Sequence, residues 1–261
     1  MENERFINEF IEGINRGPFK CLKNRGEAAA SAYVVKNNEY YDIFTCAVEQ
    51  AWLDVCRTVT TKDNVEKICR IKEAASESIR SYFDGQPKDS IFYFDNWVLS
   101  VMLVLRKIGA FTVGQSQKLI NMAFKYLYCC GDIREKKNAH FTCCHMPMDG
   151  RTLGWYKTNY LKRGERVPDW SRIDCPDDYL NIVNGIRHYL SKHPKYDGVE
   201  LPEHPLLADF CIWPGETRKK QLKELKAALK RAANDRDFCS RLTEGDIEEI
   251  NSLVNTITAR N

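Results

Sequence analysis

Apolar residues recur at helical spacing along most of the chain. Between residues 3 and 14, for example, Phe6 and Phe10 fall on one face of a helix, and the Gly17-Pro18 step ends the pattern. The same periodicity, together with capping residues, predicts further helices over residues 27–35, 39–59, 63–83, 91–105, 115–128, 150–161, 179–190, 216–233 and 244–257. Strand-type alternation is nearly absent. The pattern therefore predicts an all-α fold of roughly ten helices.

Two helices in the middle of the chain have a strong apolar content. Residues 91–105 are apolar on nearly all faces, which predicts a helix inside the core. In the next helix, polar residues fall at Lys118, Asn121 and Lys125, which is an i, i+3, i+7 spacing along one narrow stripe. We expect this stripe to face a cleft or solvent.

Turn-forming residues divide the chain into three parts. The loop at 84–90 is rich in glycine, proline and aspartate, so it separates an N-terminal group of helices from the central ones. A charged loop is predicted at 132–138, and a short apolar element is predicted to stop at Pro214. The length allows one large domain or two small lobes around a common cleft, and we expect a single unit. Its N-terminal helices (about 1–84) and C-terminal helices (about 175–261) would pack around a central region of about 90–170.

Composition restricts the class of protein. The 261 residues are 43% hydrophobic, which suits a substantial core, and the net charge of +3 requires any anionic partner to be bound by local clusters of charge. Eleven cysteines are present, an odd number, and the first residues read as a polar amphipathic helix without a secretory signal. We therefore expect a cytoplasmic protein with reduced thiols. The longest apolar run is interrupted at Arg106, so no membrane span is predicted.

The stretch between residues 112 and 155 holds the densest candidate chemistry. Lys118 lies on the polar stripe of an apolar helix, and Asp149 stands where a helix N-cap is expected. We predict that these two side chains meet in one cleft. A lysine whose amine is neutral can act as a nucleophile, and a carboxylate in reach can accept or relay protons. The simpler alternative is a solvated lysine and a structural cap.

A zinc site is a second interpretation of the same stretch. Thiolates and imidazoles are the ligands that zinc prefers, but adjacent cysteine pairs point in different directions, so the spacing favours buried thiols and no metal. The residues concerned are Cys129, Cys130, His140, Cys143, Cys144 and His145.

A third interpretation is a metal-independent ribonuclease. Arg134 and His140 resemble the short arginine-histidine signature of the HEPN-like helical toxins, in which the two residues act together on a phosphodiester. A non-enzymatic helical binding module is a further alternative.

The segment TVGQSQKLINMAFKYLY, followed by HMPMDGRTLGW, resembles the active-site region of the helix-hairpin-helix DNA glycosylase superfamily. It is most similar to the archaeal 8-oxoguanine DNA glycosylase group, with Pro147-Met148-Asp149 in place of that group's Pro-Val-Asp step. The resemblance covers about 45 residues and implies a two-lobed helical fold. The superfamily's hairpin has only a widened counterpart here, in Ile108-Gly109 and Val113-Gly114.

The resemblance implies roles for two residues. Lys118 would attack the sugar C1′ and form a Schiff base, and Asp149 would assist proton transfer and stabilise the developing oxocarbenium ion. The expected reaction is excision of a damaged or modified base from double-stranded DNA, with strand scission at the resulting abasic site as a further step. It would need no metal or organic cofactor. We expect a monomer, acting in host DNA repair or in defence against phage.

Neighbouring residues are expected to contact the substrate. An extruded base is held by apolar, aromatic and polar side chains, and phosphates are held by basic ones. The predicted substrate-binding residues are Gln115, Asn121, Lys125, His145, Arg151 and Trp155. The predicted phosphate-binding residues are Lys157, Lys162 and Arg163.

Overall fold

The computed structural model describes residues 2–14, 16–17, 19, 34–36, 39–59, 64–109 and 111–233, with positions 243, 245, 246 and 248. Nine α-helices lie within these ranges, so the predicted all-α class is confirmed. The helices are α1 (Glu2–Glu12), α2 (Ile43–Val55), α3 (Val65–Asp84), α4 (Ile91–Gly109), α5 (Val113–Tyr128), α6 (Gly131–Lys136), α7 (Gly150–Asn159), α8 (Pro176–Leu190) and α9 (Pro205–Ala233). Two antiparallel hairpins accompany them, β1 (Val34–Lys36) with β2 (Glu39–Tyr41) and β3 (Lys195–Tyr196) with β4 (Val199–Glu200).

Helix α5 runs through the core. Every residue from Val113 to Leu127 is buried, and the helix packs against α2, α4 and α8. The prediction that its polar stripe faces a cleft or solvent is wrong for Asn121 and Lys125, which are 1% and 0% exposed. A buried polar group must find a partner inside the protein, and both of these residues do so on segments distant in sequence.

Two side-chain caps fix where the central helices begin. Thr112 accepts from the backbone N–H of Gln115, and the Gln115 side chain accepts from the backbone N–H of Thr112, which forms a capping box at the start of α5. Asp149 caps α7 in the same way with Thr152, as the sequence predicted. These caps set the first turns of the two helices from which the candidate site is built.

Some predicted elements differ from those observed. The helix predicted over 39–59 begins only at Ile43, because Asp42 caps it and the preceding residues pair with Val34–Lys36 in the first hairpin. The prediction of a helix at 27–35 is therefore wrong for Val34 and Val35, which belong to β1. The earlier part of that predicted helix lies outside the described residues. The charged loop predicted at 132–138 contains helix α6. Most of the helix predicted at 244–257 also lies outside the described residues.

Helix α9 continues through Pro214, so the predicted stop at this position is wrong. Proline removes the N–H that would bind the carbonyl of Phe210, which normally kinks or ends a helix. Here Pro214 and Gly215 are both buried, and Thr217 donates its hydroxyl to the carbonyl of Trp213 at 2.7 Å. Packing on both sides of the proline thus keeps the helix continuous and brings Trp213 to the candidate site.

Helix α4 and helix α5 are consecutive in the chain and pack against each other. Within the described ranges, no single helix has both the length and the hydropathy to cross a membrane. The two helices pass that test only when taken together, and they meet at a bend of 119°.

Candidate functional site

Lys118 and Asp149 are in contact. The Nζ atom of Lys118 lies 3.4 Å from Oδ2 of Asp149, and the two side chains are only 5% and 10% exposed. The lysine comes from the second turn of α5, and the carboxylate comes from the cap of α7. The fold therefore brings together two candidate catalytic residues that are 31 positions apart in sequence.

The two oxygens of Asp149 have different partners. Oδ1 accepts from the backbone N–H groups of Arg151 at 2.8 Å and Thr152 at 3.1 Å, while Oδ2 faces Lys118 and accepts from the indole N–H of Trp213 at 3.3 Å. Burial alone would raise the pKa of this carboxyl. The charge of Lys118 and the two backbone N–H groups outweigh burial and hold the pKa of Asp149 below its usual range. The group is therefore an anion at neutral pH.

An aromatic ring lies against the lysine. The Nζ atom of Lys118 is 4.6 Å from the centre of the Trp170 ring, which is within cation–π distance. Trp170 opens a short 3-10 turn that packs closely on the start of α5, where the backbone N–H of Gly114 donates to the carbonyl of Ile173 at 2.8 Å. The ammonium group thus lies between a carboxylate and an indole.

Both Lys118 and Asp149 line a cavity of about 340 Å³. Its walls come from α1, α2, α5, α7 and α9, so residues from most of the described chain meet there. Three aromatic side chains contribute to the lining, namely Phe10, Tyr126 and Trp213. Sites for small ligands begin at about 300 Å³ and combine aromatic walls with a few polar groups, so this cavity has the size and lining for one small planar group.

The charge that the described residues give the cavity is mainly positive. Among them, four cationic side chains and two carboxylates line it: Arg16, Arg57, Lys118, Arg151, Asp54 and Asp149. Arg16 is anchored by donating to the carbonyl of Leu53 at 3.1 Å, and the guanidinium of Arg151 lies 4.8 Å from the Trp213 ring. An excess of fixed cations around a small cavity attracts anionic ligands.

Asp54 is the second carboxylate of the cavity. Burial raises the pKa of its carboxyl, although Tyr126 donates its hydroxyl to Oδ2 at 2.8 Å. Sequence reasoning missed Asp54, Tyr126 and Trp213 as site residues. No local pattern indicates them, because they come from three helices that are brought together only by the tertiary fold.

Of the six predicted substrate-binding residues, Arg151 lies at the candidate site and Gln115 does not. Arg151 lines the cavity, and its Nη1 is 3.9 Å from Oδ2 of Asp149. Gln115 is buried, and its side chain accepts from the backbone N–H of Thr112 and donates to the carbonyl of Thr58. Gln115 is therefore a structural residue at the start of α5.

The other four predicted substrate-binding residues lie in the interior and, like Gln115, are not among the cavity's lining residues. Asn121 and His145 both hydrogen-bond the hydroxyl of Tyr179, at 3.1 and 2.6 Å. Lys125 forms a buried ion pair, and the Trp155 ring packs edge-on against Tyr189. We withdraw the substrate-binding assignment for these four, because their polar groups and faces are occupied by protein.

The predicted phosphate-binding residues follow or lie on α7. Lys162 and Arg163 are exposed, and Lys157 is half-buried. Lys162 and Arg163 follow the helix that Asp149 caps, and Lys157 lies on that helix, as Arg151 does. Their placement is open to an anionic partner, which is the condition that phosphate contact requires.

Arg134 and His140 do not form an exposed pair. Arg134 forms an ion pair with Glu4 at 3.1 Å. The His140 ring is buried against Phe83 with its centre 5.2 Å away, and its Nε2 hydrogen-bonds the carbonyl of Gly85 at 3.0 Å. A histidine enclosed in this way cannot reach a phosphodiester, so the placement does not favour the ribonuclease interpretation.

The cysteine and histidine side chains of the central stretch also point apart. Cys130 donates to the carbonyl of Tyr126, and Cys144 donates to the carbonyl of His140. Burial raises the pKa of Cys144 well above its usual range, so it is a neutral thiol. In the part of the chain that the structure describes, no three histidine, cysteine or acidic side chains are grouped to hold a metal ion.

Comparison with known proteins finds no protein family, no curated protein and no solved structure that matches the chain.

Proposed function

We propose that this protein excises a damaged or modified base from double-stranded DNA, with Lys118 as the nucleophile and Asp149 as the assisting carboxylate. The observation that carries the proposal is the 3.4 Å contact between these two side chains in the wall of one cavity. A lysine beside an ionised carboxylate, shielded from most of the solvent, is an arrangement suited to covalent catalysis through an amine. The local resemblance to helix-hairpin-helix glycosylases supports the same two assignments.

The chemistry begins when Asp149 accepts a proton from the ammonium group of Lys118, which leaves a neutral amine. The amine attacks C1′ of the deoxyribose while the bond from C1′ to the base nitrogen breaks, and the base leaves with that electron pair and takes up the proton held by Asp149, which becomes an anion again. Asp149 faces the reacting carbon as an anion, so it stabilises the positive charge that develops there and accepts a proton from the attacking amine. Opening of the sugar ring then gives an imine between Lys118 and C1′, from which the 3′ phosphate can be eliminated.

The cavity suits an extruded base. A base in a duplex must leave the stack before an enzyme can reach C1′, and it is then held between aromatic or apolar side chains. Phe10, Tyr126 and Trp213 provide such walls. We assign Arg16, Arg57 and Arg151 to the phosphates that flank the extruded nucleotide, with Lys157, Lys162 and Arg163 contacting the backbone farther away.

Borohydride trapping tests the proposal. The protein is incubated with duplexes that carry an abasic site or one of a panel of modified bases, the imine is reduced, and covalent adducts are separated by denaturing electrophoresis. We expect an adduct with wild type and none with Lys118→Ala. Lys67→Ala is the matched control, because Lys67 is exposed on α3 and away from the cavity.

Two results would contradict the proposal. One is an undiminished adduct with Lys118→Ala, and the other is no adduct between wild type and any of the duplexes. Tight binding of DNA without an adduct would instead support the alternative of a non-enzymatic helical binding module.

A further inference from the structure

The side chain of Gln117 holds both backbone groups of Met148. Its Nε2 donates to the carbonyl of Met148 at 2.7 Å, and its Oε1 accepts from the backbone N–H of Met148 at 3.1 Å. Gln117 is 0% exposed, so no water competes for either bond. The amide thus pairs with both backbone groups of one residue in the segment before α7, much as a neighbouring β-strand would.

This pairing has a direct geometric relation to the candidate site. Gln117 immediately precedes Lys118 on α5, and Met148 immediately precedes Asp149. Two successive residues of α5 therefore contact two successive residues of the second segment, each across 31 positions. The two hydrogen bonds between Gln117 and Met148 therefore limit how far Lys118 and Asp149 can move apart.

Gln117 is itself held in place from the other side. Asn121 lies one turn along α5, and its Nδ2 donates to Oε1 of Gln117 at 3.0 Å and to the hydroxyl oxygen of Tyr179 at 3.1 Å. The amide oxygen of Gln117 thus accepts from both Asn121 and Met148. This leaves its nitrogen as the donor toward the Met148 carbonyl and fixes the orientation of the amide.

The series of hydrogen bonds continues from Tyr179 to the half-buried Asp95. Tyr179 shares a 2.6 Å hydrogen bond with Nδ1 of His145, and Nε2 of His145 lies 2.7 Å from Oδ1 of Asp95. Burial lowers the pKa of His145, so the ring is neutral. Because an ionised Asp95 can only accept, the histidine donates from Nε2, and Tyr179 donates to Nδ1. Arg187 closes the chain with two bonds to Asp95 at 2.7 and 2.9 Å.

We propose that Gln117 is a positioning residue for the candidate site, setting the distance between Lys118 and Asp149 through its two bonds to the Met148 backbone. The contribution of Gln117 to catalysis rests on the proposed function. Its effect on the distance between Lys118 and Asp149 does not. Gln117 touches no substrate, since it is not among the residues that line the cavity.

Gln117→Glu separates positioning from simple packing. An ionised carboxylate accepts from the N–H of Met148 but can only repel its carbonyl, whereas a neutral carboxyl has one donor and one acceptor, like the amide. Burial raises the pKa of an introduced carboxyl, while the pKa of Asp149 is held low. We therefore expect a mildly acidic range in which the introduced group is neutral and Asp149 is still an anion. Gln117→Ala lacks both bonds at every pH.

The experiment measures single-turnover rates of adduct formation with an abasic-site duplex, from about pH 8 to about pH 5, for wild type, Gln117→Ala and Gln117→Glu. At about pH 8 we expect both variants to be slower by about 10- to 100-fold, since a displacement of about 1 Å can cost 100-fold in rate. Toward about pH 5 we expect the rate of Gln117→Glu relative to wild type to rise several-fold. The relative rate of Gln117→Ala should stay flat.

A second readout needs no activity. The pKa of Asp149, followed by the NMR shift of its carboxyl carbon, should move up toward its ordinary range in Gln117→Ala as Lys118 and Asp149 separate. Circular dichroism checks that each variant is folded, and Gln117→Glu serves alone if the alanine variant is not.

The outcomes separate the two proposals. If wild type forms no adduct, the proposed function fails, and the pKa of Asp149 still tests the positioning. If wild type forms the adduct and both variants match it, or both variants are slowed equally at every pH, the positioning role of Gln117 is refuted.

Discussion

Lys125 and Asp209 form an ion pair that is completely enclosed by protein. Nζ lies 2.5 Å from Oδ2, and the two side chains are 0% and 1% exposed. The rings of Phe10 and Phe210 lie 4.0 and 4.6 Å from the ammonium group. The pair thus links α5 to α9. Asp209 lies four residues before Trp213, whose indole hydrogen-bonds Asp149.

Breaking this pair should destabilise the protein strongly. Lys125→Met leaves Asp209 as a buried charge without its partner, and we expect a loss of about 3–5 kcal/mol in the free energy of unfolding. The double variant Lys125→Met with Asp209→Leu removes both charges and should recover much of that loss. Urea denaturation of the single and double variants measures this. A double variant no more stable than the single one would contradict the prediction.

Asp149→Asn and Asp149→Ala should separate the two roles of this residue. Asparagine can still accept from the backbone N–H groups of Arg151 and Thr152, whereas alanine removes the cap. We expect Asp149→Ala to be less stable than Asp149→Asn by about 1 kcal/mol, the usual value of an N-cap. Both variants should lose adduct formation, because neither has a carboxylate beside Lys118. Thermal melts measure the effect on stability, and borohydride trapping on the same preparations measures the effect on adduct formation. If Asp149→Asn formed as much adduct as wild type, the role of the charge would be refuted.

The charge of Asp149 should stabilise the fold in a pH-dependent way. Its pKa is lower in the folded protein than in the unfolded chain, so its contribution is fully present above the unfolded value of about 3.9. The contribution falls as the pH drops below that value and is lost once the pH passes below the folded pKa. The difference in unfolding free energy between wild type and Asp149→Asn should therefore be constant from neutral pH to about pH 5 and shrink in stronger acid. If this difference in unfolding free energy grew as the pH fell, the prediction would be wrong.

Gly114→Ala should disturb the site without touching a catalytic group. A Cβ at this position would lie 1.6 Å from the carbonyl oxygen of Trp170, which is backbone and cannot give way without moving the turn. Because the Trp170 ring rests against Lys118, we expect both lower stability and slower trapping. Gly154→Ala is the matched control, since no atom of the described residues lies within 4 Å of the Cβ it would add. Equal melting temperatures for the two variants would contradict the prediction.

The sequence predicts the helices of this fold better than it predicts what their polar residues contact. The periodicity of α5 and the cap at Asp149 are local properties, and both are found as expected. The partners of the polar stripe are not local. Lys118, Asn121 and Lys125 bind residues 31, 58 and 84 positions away, and no spacing within the helix indicates such contacts.

Pro214 illustrates the same limit for secondary structure. A proline followed by glycine is locally a strong stop signal. Buried packing on both sides outweighs it, and the helix that results delivers Trp213 to Asp149. The cavity could not be predicted because its walls come from five helices, and Gln117 had no signal beyond being a polar residue in an apolar helix.

The wide sequence separation of the cavity walls has a consequence for folding. Loops that close over long stretches of chain form slowly, because the entropy lost on closure must be offset by contacts made afterwards. Phe10 packs on Phe210 and Trp213, so the first described helix meets the last one at this cavity. During synthesis, Lys118 and Asp149 can emerge and pair before residue 213 exists. The cavity itself is completed only when the chain beyond Trp213 has left the ribosome, and a nascent chain cannot contain a finished site any earlier.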